Sequence, residues 1–126
     1  MIVYWLGWIS VILMVLSFGA WLLRKTGCRE KKLLQQFRGK RHHQWGEGML
    51  LVALIHGVLS ILFFHHLCKK KVLTGILAFL AAFCLKMTAE KRKQLGGKWL
   101  RYHRIAAVAL LPLLALHVLF SLFGGR

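Results

Sequence analysis

Acidic residues are almost missing from this chain. Glu30, Glu47 and Glu90 are the only three among 126 residues, against 19 lysines and arginines, for a formal net charge of +16. All three lie at or beyond the ends of apolar segments, so the intramembrane carboxylates that hard-cation paths favour are lacking. Cysteine is scarce and scattered: Cys28, Cys68 and Cys84 form no C-x-x-C, which excludes a zinc knuckle and a thioredoxin-like pair. Cys84 reads as a small core residue. Neither a G-x-G-x-x-G fingerprint nor a Walker loop occurs, and with them goes a nucleotide-binding domain. No internal linker, low-complexity tract or second domain interrupts residues 1–126, and the single proline is Pro112.

What is abundant is apolar sequence. Hydrophobic residues make up 58% of the chain and the mean hydropathy is +0.59. Four runs approach the roughly 20 residues that a bilayer crossing needs. They are Met1 to Leu23 without a charge, Gly48 to Leu67 with none but histidine, Val72 to Leu85 extending through Met87, and Ile105 to Phe123. These runs predict an all-α, integral membrane four-helix bundle forming one domain over 1–126. Its helices are expected at about 1–23, 43–67, 72–88 and 103–123, the third being the shortest. No basic residue precedes Tyr4 and Trp5, and the first run outlasts a secretory h-region, so it reads as a retained span. Leu33, Leu34 and Phe37, set among charges, read as a short amphipathic helix over Glu30 to Phe37 on the inner surface. Gly39 and Gly46 bracket the entry to helix two, and Gly96 with Gly97 break the chain before helix four.

Basic residues orient the spans. Arg24 to Arg41 holds eight lysines and arginines and Lys86 to Arg104 holds seven, whereas the other connection has Lys69, Lys70 and Lys71 and the tail has Arg126. Fifteen against four under the positive-inside rule puts both termini outside and both long loops in the cytoplasm of a plasma (inner) membrane. Helices two and four then run parallel, from cytoplasm to exterior. In a soluble chain this charge would suggest nucleic acid. Confined to loops beside apolar spans, it reads instead as topology and attraction to anionic membrane lipid, with no nucleic-acid partner. The same basic face would also dock an acidic soluble redox protein and speed its encounter.

Histidines carry the chemistry. The interval from His42 to His56 is repeated from His103 to His117. It is just under four helical turns, so the members of each pair fall within about 40° of one face and about 21 Å apart along the axis. His56 and His117 lie well inside their spans, where a polar side chain is expensive. The plain alternative is that each ring bonds a backbone carbonyl or a hydroxyl such as Ser60 on a neighbouring helix. Ligation to iron also satisfies the ring, since one nitrogen gives its lone pair to the metal and the other N–H needs a single partner. Two parallel helices with the same interval favour ligation: four imidazoles at matched depths, His42 with His103 and His56 with His117, suit two b-type haems stacked across a membrane.

Flanking residues fit that expectation. Gly46 lies one turn after His42 and Ala107 one turn after His103, small enough for a flat macrocycle to approach; Gly57 adjoins His56. Arg41, Arg101 and Arg104 inside and Lys69 to Lys71 outside are cations for haem propionates. Pro112 should kink helix four or free the carbonyl near Val108. His43 competes with His42, but its interval to His56 is one residue shorter, which turns the two about 140° apart on a straight helix. His65, His66 and Cys68 form an H-H-x-C at the outer end of helix two, an interfacial cluster with a surface metal site as the lesser reading.

His103-Arg104 with Ala107 and His117, and His42 with Gly46 and His56, resemble the ligand helices of the membrane cytochrome b superfamily, most closely the haem-binding core of ferric reductases and NADPH oxidases. The resemblance covers helices two and four, about a third of the chain. It implies two bis-histidine haems carrying electrons across the membrane, supplied by a separate donor, a quinol or an acidic redox protein. The six helices and the flavin and nucleotide domain usual in that family do not fit within this sequence. The resemblance therefore extends to an electron-transfer protein or a ferric-reductase-like oxidoreductase subunit, not to a complete reductase. Two further readings stay open: a small histidine-based metal transporter, and a redox-inert membrane anchor subunit.

Overall fold

The computed structural model describes residues 1–25, 40–63 and 69–123. The amphipathic segment expected over Glu30 to Phe37, and His65, His66 and Cys68, lie outside the described residues. Those that are described form an all-α chain with four long helices: α1 over Ile2–Lys25, α2 over Lys40–Phe63, α3 over Lys69–Glu90 and α4 over Trp99–Phe123. At 1.5 Å per residue, 22 to 25 residues span about 33 to 38 Å, enough for a hydrocarbon core of about 30 Å. All four are long and apolar enough to cross a membrane, which makes this a multi-pass integral membrane protein.

All four helices outrun their apolar runs, α1 by reaching Lys25. α3 begins at Lys69 and continues to Glu90, beyond the 72–88 expected, because lysine stems are good helix formers whose ammonium groups reach back to the interface. α4 begins at Trp99 and α2 at Lys40, each ahead of its apolar run, because charge bounds the membrane segment and not the helix. Gly46 therefore sits within α2, past its first turn, and not at its entry. Glu47 likewise lies inside α2, one turn after His43, and pairs with it at 3.5 Å. Pro112 has no N–H to offer the carbonyl of Val108, yet α4 runs through it to Phe123.

The apolar side chains face outward. Leu51, Val58, Ile61, Leu73, Ile76, Leu80, Ile105, Val108 and Leu119 are all exposed, Val108 to 69%. Such a surface suits a lipid environment. The buried positions among the described residues are few: Met14, Ser17 and Met49 on α1 and α2, Thr74, Ala78 and Ala82 forming one i, i+4, i+8 face of α3, and Leu110 on α4. Cys84, expected in the core, is exposed, since two residues beyond Ala82 the helix has turned by about 200°. Hydroxyls within the spans return to their own backbone, Ser17 to the carbonyl of Leu13 at 2.9 Å and Thr74 to that of Lys70 at 2.8 Å.

The chain divides into two compact units, Met1–His56 and Gly57–Arg126. In the first, α1 and α2 are antiparallel: Ser17 lies opposite His42, Leu13 opposite Gly48, and Val3 and Gly7 opposite His56. In the second, α3 and α4 are antiparallel, with Thr88 opposite His103 and Thr74 and Gly75 opposite His117. Between α3 and α4 the chain turns through a short helical segment, Arg92–Leu95, and a 3-10 turn, Gly96–Lys98. The break expected at Gly96 and Gly97 is here: Gly96 has φ +55°, a conformation that side chains disfavour. Arg92 stacks over Trp99 at 5.6 Å and closes the elbow.

Candidate cofactor site

Each of the four regularly spaced histidines points its Nδ1 at an acceptor on the neighbouring antiparallel helix. In the first unit His42 Nδ1 donates to the carbonyl of Ser17 at 2.8 Å, and His56 Nδ1 to the carbonyl of Val3 at 2.8 Å. In the second, His117 Nδ1 lies 3.1 Å from the carbonyl of Lys71 and 3.3 Å from Thr74 Oγ1, and His103 Nδ1 lies 3.0 Å from Thr88 Oγ1. His42 is exposed, while His56, His103 and His117 are part-buried.

Hydrogen-bond chemistry assigns the proton. A carbonyl only accepts, so the Nδ1 atoms of His42, His56 and His117 must donate. Where Thr88 Oγ1 donates its single proton to the carbonyl of Leu85, at 2.9 Å, it accepts from His103 Nδ1 at 3.0 Å. His42, His56 and His117 therefore carry hydrogen on Nδ1, and in the neutral imidazole the lone pair is then on Nε2, the nitrogen directed away from that bond. This donor set fits haem iron, whose histidine ligands coordinate through one nitrogen and anchor the other N–H on a carbonyl or hydroxyl. A ring that merely packs needs the same kind of partner, but is indifferent to which nitrogen supplies the proton.

The other expected site residues divide by position. His43 is exposed and turned to Glu47, away from the Ser17 contact its neighbour makes. Arg41 and Arg104 are exposed beside His42 and His103, and Gly46 and Ala107 are part-buried one turn on from the same two histidines. A Cβ added at Gly46 or Gly57 would meet nothing within 4 Å, so both leave open space beside the helix. Trp99 lies 6.0 Å from the His103 ring, tilted by 54°. Among the described residues no three His, Cys, Asp or Glu side chains form a group that could hold a metal ion.

The histidine spacing does not by itself point to the acceptors on α1 and α3, although a signal for them is present in the sequence. The steps from Val3 to Ser17 and from Thr74 to Thr88 equal the step from His42 to His56, so the acceptors repeat the interval of the histidines. A single offset carries Val3, Gly7 and Ser17 onto Lys71, Gly75 and Leu85, and a second, slightly shorter one carries His42 and His56 onto His103 and His117. Each unit is thus built on one plan, a helix of acceptors followed by a helix of imidazoles. Compared with protein-family models, curated proteins and solved structures, the chain matches none of them.

Proposed function

We propose that the chain is a transmembrane electron-transfer cytochrome holding two b-type haems, with His42 and His103 as axial ligands of the inner one and His56 and His117 of the outer. The pairing follows from equal intervals and matched depths along α2 and α4. The observation that carries the reading is that all four rings turn Nδ1 to an oxygen of the neighbouring antiparallel helix, three of them to a backbone carbonyl. A bound haem supplies a one-electron carrier at each level of the membrane. The protein's own part is to fix the imidazoles, keep water out with the surrounding apolar helices, and offer Arg41, Arg101 and Arg104 to the inner propionates and Lys69 to Lys71 to the outer. Electrons come from a separate donor, a quinol or an acidic protein on the basic cytoplasmic face, and leave toward an outer acceptor. The protein is placed in the plasma membrane with both termini outside.

The visible spectrum of purified protein tests this directly. A Soret band at two haems per chain is expected, falling to one in His56→Ala and in His117→Ala, with the same haem lost in both. Two haems still bound in the His56→Ala, His117→Ala double variant would refute the pairing, and no Soret band in wild-type protein would refute the function.

A further inference from the structure

α1 and α3 carry none of the expected ligands, yet both outer imidazoles meet them in the same way. His56 Nδ1 bonds the carbonyl of Val3, and Gly7 follows one turn later; His117 Nδ1 bonds the carbonyl of Lys71, and Gly75 follows one turn later. A Cβ on Gly7 would stand 3.0 Å from His56 Cε1 and 3.4 Å from Nδ1; a Cβ on Gly75 would stand 3.0 Å from His117 Cε1 and 3.3 Å from Nδ1. Two sites in different halves of the chain thus share one geometry, and at both the approach to Cε1 is tighter than ordinary van der Waals contact.

Helix geometry explains the coincidence. The carbonyl of residue i lies beside the side chain of residue i+4, as the Thr74 hydroxyl on the carbonyl of Lys70 demonstrates. That carbonyl already accepts the backbone N–H of i+4, and its second lone pair can be reached from a neighbouring helix only across the Cβ of that residue. Removing the Cβ opens the lone pair to a ring. The glycines thus serve an approach between side chain and backbone, with helical φ values that any residue could adopt.

We infer that Val3–Gly7 and Lys71–Gly75 are positioning elements for the outer haem ligands: each glycine lets the ring reach the carbonyl that holds the proton on Nδ1 and presents Nε2 for coordination. This rests on the di-haem reading for its consequence and on the contacts above for its geometry. A strong acceptor on Nδ1–H raises the basicity of the imidazole, which favours ferric over ferrous iron and lowers the midpoint potential. An alanine at either glycine must push its ring off by a few tenths of an ångström and weaken the bond. Two substitutions on different helices should therefore shift the same haem in the same direction.

The test uses the full-length, haem-loaded protein as wild type, Gly7→Ala, Gly75→Ala and Gly48→Ala. The last is the packing control, because a Cβ there would make an ordinary 3.7 Å contact with Leu13. Redox titration should show Gly7→Ala and Gly75→Ala each raising the midpoint of the outer haem by about a tenfold change in the ferric to ferrous ratio, ~59 mV for one electron, with the inner haem and Gly48→Ala unmoved. Unchanged midpoints in both variants, or an equal shift in Gly48→Ala, would overturn the inference. Nitrogen NMR of haem-free protein labelled with [15N]histidine, assigned with His56→Gln and His117→Gln, separates this from the function itself. Protons on Nδ1 of His56 and His117 in wild type, depleted in the alanine variants, support the positioning role even where no haem binds; protons on Nε2 in wild type overturn it.

Discussion

His42 and His43 are adjacent in sequence and opposite in surroundings. The first bonds the carbonyl of Ser17 on α1 and the second pairs with Glu47 on its own helix. An imidazole anchored through Nδ1 by another helix is held in one orientation, whereas a half-exposed i, i+4 pair at an interface is not. His42→Ala is accordingly expected to abolish the low-spin electron paramagnetic resonance signal of the inner haem, and His43→Ala to leave it low-spin. Loss of that signal in His43→Ala alone would move the ligand by one residue and change the winding required of α2 before Gly48.

At the scale of elements, the buried face of α3 sets how closely it meets α4. That face is Thr74, Ala78 and Ala82, and small side chains there let two backbones approach where burial of apolar surface adds little, lipid being as apolar as leucine. Ala82, only 6% exposed, is covered by its neighbours. Ala82→Leu should destabilise the protein by about 1–3 kcal/mol through overpacking, measured as a lowered unfolding midpoint in detergent; a neutral result would mean that the α3 face repacks freely. The elbow makes a separate demand. Gly96, with φ 55° and ψ −136°, occupies a region open to glycine almost alone, so Gly96→Ala should cost about 1–3 kcal/mol in the same assay, while Gly97→Ala, at a position of ordinary φ, should cost little.

For the whole molecule, charge and repetition say different things. Fifteen of 19 lysines and arginines lie in the two long connections or at the helix ends that flank them, on one side of the expected topology. A reporter fused after Arg126 should be active on the exterior and silent in the cytoplasm; cytoplasmic activity would invert the inner and outer labels of the histidine pairs without disturbing the contacts that define them. Repetition concerns the internal plan: acceptor helix, histidine helix, acceptor helix, histidine helix, with one interval recurring throughout. That plan gives α1 and α3 a reason to exist beyond filling the membrane, since each imidazole needs an acceptor from outside its own helix.

The sequence by itself determined the number of spans, the all-α class and the spacing of the histidines, because apolar run length and the 3.6-residue period are properties of one helix and need no knowledge of its neighbours. It placed the ends of α2, α3 and α4 less well, since lysine and arginine extend a helix beyond the stretch that hydropathy marks. It put Cys84 in the core because small residues are commonly buried, although the angle from Ala82 turns it outward. What only the tertiary structure decided was the partner of each ring. Whether His56 reaches Val3, and whether Gly7 or Gly75 stands clear of an imidazole, depends on which helices are adjacent and on their stagger along a common axis. Periodicity within one segment carries no information about either, because the energy that sets them comes from contacts between segments.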